Sequence, residues 1–145
     1  MSAKIVIGLD GNGSGDRAVA FAKQQAKQIG KCELIAVYVI EWSPYSFQTP
    51  EENEERHKRR NEEIAAAESR IVKPAVDALK AEGFSARGVV KHGDVADLLN
   101  SVAVAEDADQ IVVARKSEGG FASRLFGSST ANLVMTATVP VTVVG

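Results

Sequence analysis

Short β-branched runs alternate along this chain with longer stretches of helical period, and that alternation leaves few folds open. The runs are KIVIGL (4–9), ELIAVYVI (33–40), ARGVVK (86–91), QIVVA (110–114) and PVTVV (140–144). The first two are apolar at nearly every position, as a strand must be when helices cover both its faces. Strands that alternate with helices pair in parallel through βαβ units.

The intervening segments fit that reading. Val19, Ala22, Ala26 and Ile29 recur at intervals of three and four, which predicts a helix over 16–29 closed by Gly30. Residues 51–82 read as one long helical region. Its first half sets Glu52, Glu54 and Glu55 four positions before Arg56, Lys58 and Arg59, the pattern of a solvated helix face rather than of a nucleic-acid patch. Its second half carries an apolar stripe of Ile64, Ile71, Ala75 and Leu79, and Pro74 removes a hydrogen bond and should kink or break the helix. Asp94 can cap a helix bearing Val95, Leu98, Leu99 and Val102, and a last helix turns Leu133, Val134 and Ala137 inward. Five strands with four helical connections make a three-layer α/β arrangement, and 145 residues suit a single domain over 1–145.

Composition excludes several functions. A formal net charge of −2 gives no general basic field for nucleic acid. No run approaches the ~20 apolar residues of a membrane span. The opening MSAKIVIGLD lacks the apolar core and cleavage site of a leader, so the expected compartment is the cytoplasm. Cys32, the single cysteine, has no partner for an internal disulfide and reads as a small apolar packing residue. His57 falls in the charged helix and reads as solvent-facing, while His92 in KHGD reads as a turn residue at a strand's carboxyl end. Two isolated histidines without convergent carboxylates predict neither a metal site nor a catalytic centre.

Two glycine-rich segments follow strands. In DGNGSGDRA, a dinucleotide fingerprint starting at Gly11 would need glycine at position 16, where Asp16 stands, and Asp10 would turn negative charge towards a pyrophosphate. An acid at a strand's carboxyl end suits neutral donors instead, such as a ribose hydroxyl or an adenine amino group. The bland alternative is a turn with Asp10 or Ser14 capping the helix. Neither G-x-x-x-x-G-K followed by Ser or Thr nor G-x-S-x-G occurs. The second segment, VVARKSEGGFASRLFGSST (112–130), leaves the fourth strand and enters a helix at Gly127-Ser128-Ser129, where free backbone N–H groups attract anions.

Asp10 after the first strand, Val39 near the end of the second, the HGD turn, and the loop closing on GSST before VPVTVV occur in an order that resembles the universal stress protein family. The likeness runs over essentially the whole chain. It implies a doubly wound, five-stranded parallel sheet of order 3-2-1-4-5 with helices on both faces, usually dimeric. It also implies that nucleotide-binding members hold ATP in the crevice between strands one and four. Their loop has the form G-x-x-G, nine residues, then G-S or G-T. Anchored on Gly127-Ser128, the spacing from Glu118 to Phe126 is kept, but Ala114 and Ser117 stand where the opening glycines would be. Glycine permits positive φ and close approach of a phosphate, so each replacement costs about 1 kcal/mol or more wherever that conformation is required.

Two functions are therefore expected alternatives. In one, the protein is an adenine-nucleotide module taking ATP, with or without Mg²⁺. Asp10 and the Val39 backbone then hold adenosine, Val113 and Ala114 flank the sugar, and Lys116, Ser117, Gly127, Ser128 and Ser129 hold phosphates. In the other it is a nucleotide-free dimer of the same fold that acts through protein partners. At most a slow ATPase is expected, since no base or Mg²⁺ carboxylate pair lies near the loop. If the last strand forms a sheet edge, its apolar PVTVV would pair with a second copy. The aromatic WSPYSF segment (42–47) reads as a packed loop, with a lid or partner surface as the alternative.

Overall fold

A computed structural model describes residues 2–9, 14–41, 50–115 and 128–145. In chain order the elements are β1 (Ala3–Leu9), α1 (Ser14–Ile29), β2 (Cys32–Glu41), α2 (Pro50–Ala67), a π-helical turn (Glu68–Val72), α3 (Lys73–Ala81), β3 (Ser85–Gly93), α4 (Val95–Ala105), β4 (Gln110–Ala114), α5 (Ser128–Thr136) and β5 (Val141–Val144). The strands form one parallel sheet of order β3-β2-β1-β4-β5, as the resemblance implied.

Two apolar layers hold helices to the sheet. On one face Ile5, Ile7, Leu34, Ala36 and Val112 meet Ala18, Ala22 and Ala26 of α1 together with Val72, Val76 and Leu79. On the other face Val6, Ile35, Val37, Val39, Ile111 and Val113 meet Ala96, Leu99, Val102 and Ala103 of α4 and Leu133 of α5. Small residues on α1 let its backbone lie close to the strands. Ile29, part of the expected stripe, is 46% exposed, and α1 ends just beyond it at Gly30, which takes a φ of +97°.

The long helical region is real but not uniform. Pro74 lies near the start of α3 and has no N–H to donate, and the π-helical turn immediately precedes that segment. The wider turn advances the buried face, so inward residues fall at Ala67, Val72, Val76 and Leu79. The expected stripe of Ile64, Ile71 and Ala75 is only half-buried because a strictly α-helical period cannot anticipate that extra residue. Glu55 and Arg59 form their expected pair on the exposed side at 3.6 Å.

Two further expectations are corrected. β3 runs from Ser85 to Gly93 rather than over 86–91, because its ladder with β2 continues to Glu41↔Gly93. Val134 is 46% exposed, since Leu133 alone takes the inward position in the described part of α5 and its neighbour is rotated about 100° away. The Asp94 cap is present, its carboxylate accepting the Asp97 N–H at 3.0 Å.

Charge ties the amino ends of the strands together. Arg87 on β3 donates to Glu33 on β2 at 3.2 Å and also to Glu106 at the end of α4, which Lys4 of β1 approaches to 3.7 Å. The hydrogen bond from Arg87 outweighs partial burial and holds the Glu106 carboxyl below the usual glutamate range, with Lys4 adding to the effect. A carboxylate lowered on folding stabilises the native state fully above its unfolded-state value, and that contribution disappears as pH falls through the folded-state value.

Two measurements test these contacts. A Cβ on Gly88 would stand 2.1 Å from Val72 Cγ1, so Gly88→Ala must displace either the strand or the π-helical turn. The expected cost is about 1–3 kcal/mol, seen as a lower urea midpoint with an unchanged slope; a parental midpoint would mean that this close seating does not exist. For Glu106→Gln, the stability deficit relative to the parent should be largest near neutral pH, shrink towards zero in acid, and weaken with added salt because both partners are partly exposed. A deficit independent of pH would contradict the proposed ion pair.

Candidate functional site

The carboxyl ends of β1 and β4 define the place where a ligand can enter. From β1 the chain passes to α1 on one face, and from β4 it passes to α5 on the other. Main chains diverging from neighbouring strands open a crevice at that switch point. The β1–β4 register runs from Ile5↔Gln110 to Ile7↔Val112, which sets Gly8 and Leu9 beside Val113 and Ala114 at the rim.

Side-chain sizes shape the floor. A Cβ on Gly8 would come within 2.9 Å of Val113 Cγ1 and 3.1 Å of Leu99 Cδ1, so the missing side chain leaves the space that these two residues fill. Val113 is 6% exposed and belongs to the α4–α5 face, whereas Ala114 is half-buried on the α1 face. Val39 is also buried towards α4. Its backbone lies one residue beyond the Leu9↔Tyr38 end of the β1–β2 ladder and is paired on its other side with Lys91.

Of the residues expected to bind nucleotide, the structure gathers Val39, Val113 and Ala114 at the carboxyl ends of β2 and β4. Ser128 opens α5 as expected, and Ser129 in its first turn is half-buried. Asp10, Lys116, Ser117 and Gly127 lie outside the described residues, as does the 42–47 aromatic segment.

Sequence reasoning missed Arg17. This residue, in the first turn of α1, donates from Nη2 to the carbonyl oxygen of Arg115, the residue that follows β4. Arg115 also donates its backbone N–H to the Val144 carbonyl of β5 at 2.8 Å. An arginine in the opening turn of a helix opposes the helix dipole, and that misfit is the one signal in the sequence that could have marked it.

The remaining titratable candidates lie elsewhere. His92 is not a turn residue: it stands in β3 opposite Ile40, with Nε2 3.0 Å from Glu63 Oε2 on α2. His57 is exposed, as expected. Cys32 is half-buried, and burial, assisted by Asp109 and Glu33, pushes its thiol up, away from nucleophilic use. A groove of about 740 Å³, lined in part by Lys4, Lys27, Cys32, Glu82 and Phe84, opens at the amino ends of the strands, the opposite end from the crevice. Among the described residues no group of three or more His, Cys, Asp and Glu side chains could hold a metal ion, and no helix is long and apolar enough to cross a membrane.

These features define a doubly wound α/β protein whose sheet order reverses between β1 and β4. The chain belongs to the universal stress protein family, whose model matches residues 1–145. Among solved structures it is similar to the universal stress protein UspA from Lactobacillus plantarum, with a TM-score of 0.80 and 20% identity over 99% of this chain and 97% of that one. It is also similar to a universal stress protein in complex with cAMP, with a TM-score of 0.67 and 27% identity over 99% and 96% of the two chains. A universal stress protein from Archaeoglobus fulgidus in complex with dAMP aligns with a TM-score of 0.60 and 18% identity over 100% and 98%. No curated protein sequence matches the chain at a significant level.

Proposed function

We propose that this protein is a cytoplasmic stress-response module, a single domain over 1–145, that binds an adenine nucleotide, ATP with or without Mg²⁺, between β1 and β4. The observation that carries the reading is the crevice itself: β4 ends at Ala114 and α5 starts at Ser128, so both ends of the glycine-bearing segment belong to the switch point. That family members have been captured with cAMP and with dAMP supports an adenine ligand.

Each residue has a role set by its chemistry. The Asp10 carboxylate accepts from the ribose hydroxyls. The Val39 backbone, just past the end of the β1 ladder, pairs with the base. Val113 and Ala114 give the sugar an apolar wall. Lys116 neutralises phosphate charge, Ser117 adds a hydroxyl, and Gly127, Ser128 and Ser129 present the start of α5, where N–H groups and the helix dipole favour an anion. The reading is of a binder rather than a catalyst, since His92 is engaged by Glu63 and lies on β3, two strands away from β1.

A second copy of the chain completes the proposal. β5 is an edge strand whose residues are all valine or threonine and all partly exposed, whereas the opposite edge, β3, carries Arg87, Lys91 and His92. Charges blunt an edge against association and an apolar edge invites it. A homodimer paired through β5 follows.

The ligand is tested by mass spectrometry of the purified, denatured protein and by thermal shift with ATP and Mg²⁺. Adenine nucleotide should be released, and ATP at about 100 times its Kd should stabilise the fold by about 2.7 kcal/mol. Gly127→Val, with its helix content checked by circular dichroism, should lose that stabilisation because a branched side chain fills the phosphate position. Neither released nucleotide nor a shift would leave the nucleotide-free dimer, a reading that the replacement of two loop glycines by Ala114 and Ser117 favours. For the assembly, sedimentation equilibrium should return the mass of two chains; a monomer mass across the concentration range would remove the edge pairing.

A further inference from the structure

The groove at the amino ends of the strands lies between two helix ends of the same design. α1 and α3 both finish beside it in a left-handed glycine, Gly30 at a φ of +97° and Gly83 at +92°. A Cβ at either position would meet no heavy atom within 4 Å, so both turns border open space. Gly30 donates to the Ala26 carbonyl at 2.9 Å, Gly83 to the Lys80 carbonyl at 3.0 Å and Phe84 to the Leu79 carbonyl at 3.0 Å. Those carbonyls are committed to main chain. The space between the two turns, about 740 Å³, is in the size range of small-molecule sites.

The charges around this space are unevenly committed. Of the two acids on its walls, Glu33 accepts from Arg87 at 3.2 Å and Glu82 from Lys23 at 3.0 Å, and neither of those cations lines the groove. Lys27 falls in the last turn of α1, where the helix dipole favours a cation, and Lys31 lies just beyond it. Both are exposed, and among the described residues neither forms an ion pair with an acid. Burial, helped by Asp109 and Glu33, pushes the Cys32 thiol up, so the one thiol on the wall stays protonated and supports no covalent chemistry.

Phe84 supplies an apolar surface. Half-buried against the α1–α3 layer, it presents the rest of its surface to the groove, and Lys27 Nζ stands 6.0 Å from its ring centroid. That separation is the outer limit of a cation–π contact, so ring and ammonium engage each other only loosely. One small molecule can reach both.

We propose that the groove is a second binding site, for a small amphiphilic anion whose planar apolar body lies against Phe84 and whose anionic group is neutralised by Lys27 and Lys31. The two uncommitted cations select negative charge, and the ring selects an apolar body. Neither contact suffices alone: exposed ammonium groups are screened by water and salt, and a half-buried ring offers limited area. The site goes beyond the nucleotide reading and shares no residue with the crevice between β1 and β4.

Naphthyl phosphate is the probe, with inorganic phosphate and naphthol as its separate halves, and amide NMR of the full chain reads both position and affinity. Naphthyl phosphate should shift the amides of Gly30, Lys31, Gly83 and Phe84 saturably, and bind at least about tenfold more tightly than either half, the gain of linking two weak contacts. Lys27→Gln combined with Lys31→Gln should weaken it about tenfold or more. Lys58→Gln combined with Lys91→Gln, an equal change in net charge away from the groove, should leave it unchanged. Phe84→Leu, which keeps apolar bulk without the ring, should weaken it about threefold or more. Shifts that fail to saturate at millimolar probe, or that centre on Leu9 and Ala114, would overturn the proposal. So would naphthol binding as tightly as its phosphate, or equal weakening by both lysine pairs.

Discussion

Everything in this molecule hangs on β1 lying between β2 and β4. Ile5, Val6 and Ile7 are wholly buried, and no strand with three consecutive apolar residues can be satisfied at an edge or with one face in water. Once β1 is central, the chain must leave it towards β2 with α1 on one face and later return to its other side with α4 and α5 on the opposite face. The crevice is the geometric residue of that reversal. It needs no side chain of its own to exist, which is why the sheet order constrains the site more firmly than any motif.

The two ends of the sheet are treated differently. At the amino ends, Lys4, Glu33, Arg87 and Glu106 form an ion network, and the Lys4 N–H is held by Asp109 at 2.9 Å. Such partly exposed pairs add modest stability, yet they link β1, β2, β3 and the turn after α4. The carboxyl ends of β1 and β4 instead carry small residues, Gly8 and Ala114. One end is tied together by charge. At the other, Gly8 and Ala114 put little side chain at the rim of β1 and β4.

How far the sequence could be read follows from the kind of interaction at each position. Strands were legible because β-branched runs of the right length have few other uses, and Asp94 was legible because a cap is a local hydrogen bond. The π-helical turn was not, although Pro74 announced a disturbance: whether a helix kinks, breaks or widens depends on what it packs against, here the bare backbone at Gly88. Val134 and Ile29 were misjudged for the related reason that periodicity gives a direction around a helix but not the width of the surface it covers. His92 was taken for a turn residue because Gly93 and Asp94 follow it, whereas the β2 ladder carries the strand through to Gly93. Val39, Val113 and Ala114 were named through the resemblance and lie at the carboxyl ends of β2 and β4, while the Arg17 contact escaped because its partner is a carbonyl 98 positions away.

That distance separates two ways of directing a main chain. A glycine solves a backbone problem locally, by permitting conformations that a Cβ forbids. A long-range hydrogen bond solves the same problem from outside, by selecting one orientation among those still allowed. The first solution is visible in one sequence and the second only in a folded chain, because Arg17 and Arg115 meet through the β1–β4 pairing and nothing nearer in the chain brings them together. The same pairing sets Gly8 against Val113, where the absence of a side chain lets Val113 and Leu99 fill the floor. Motif glycines count only the local half of that control.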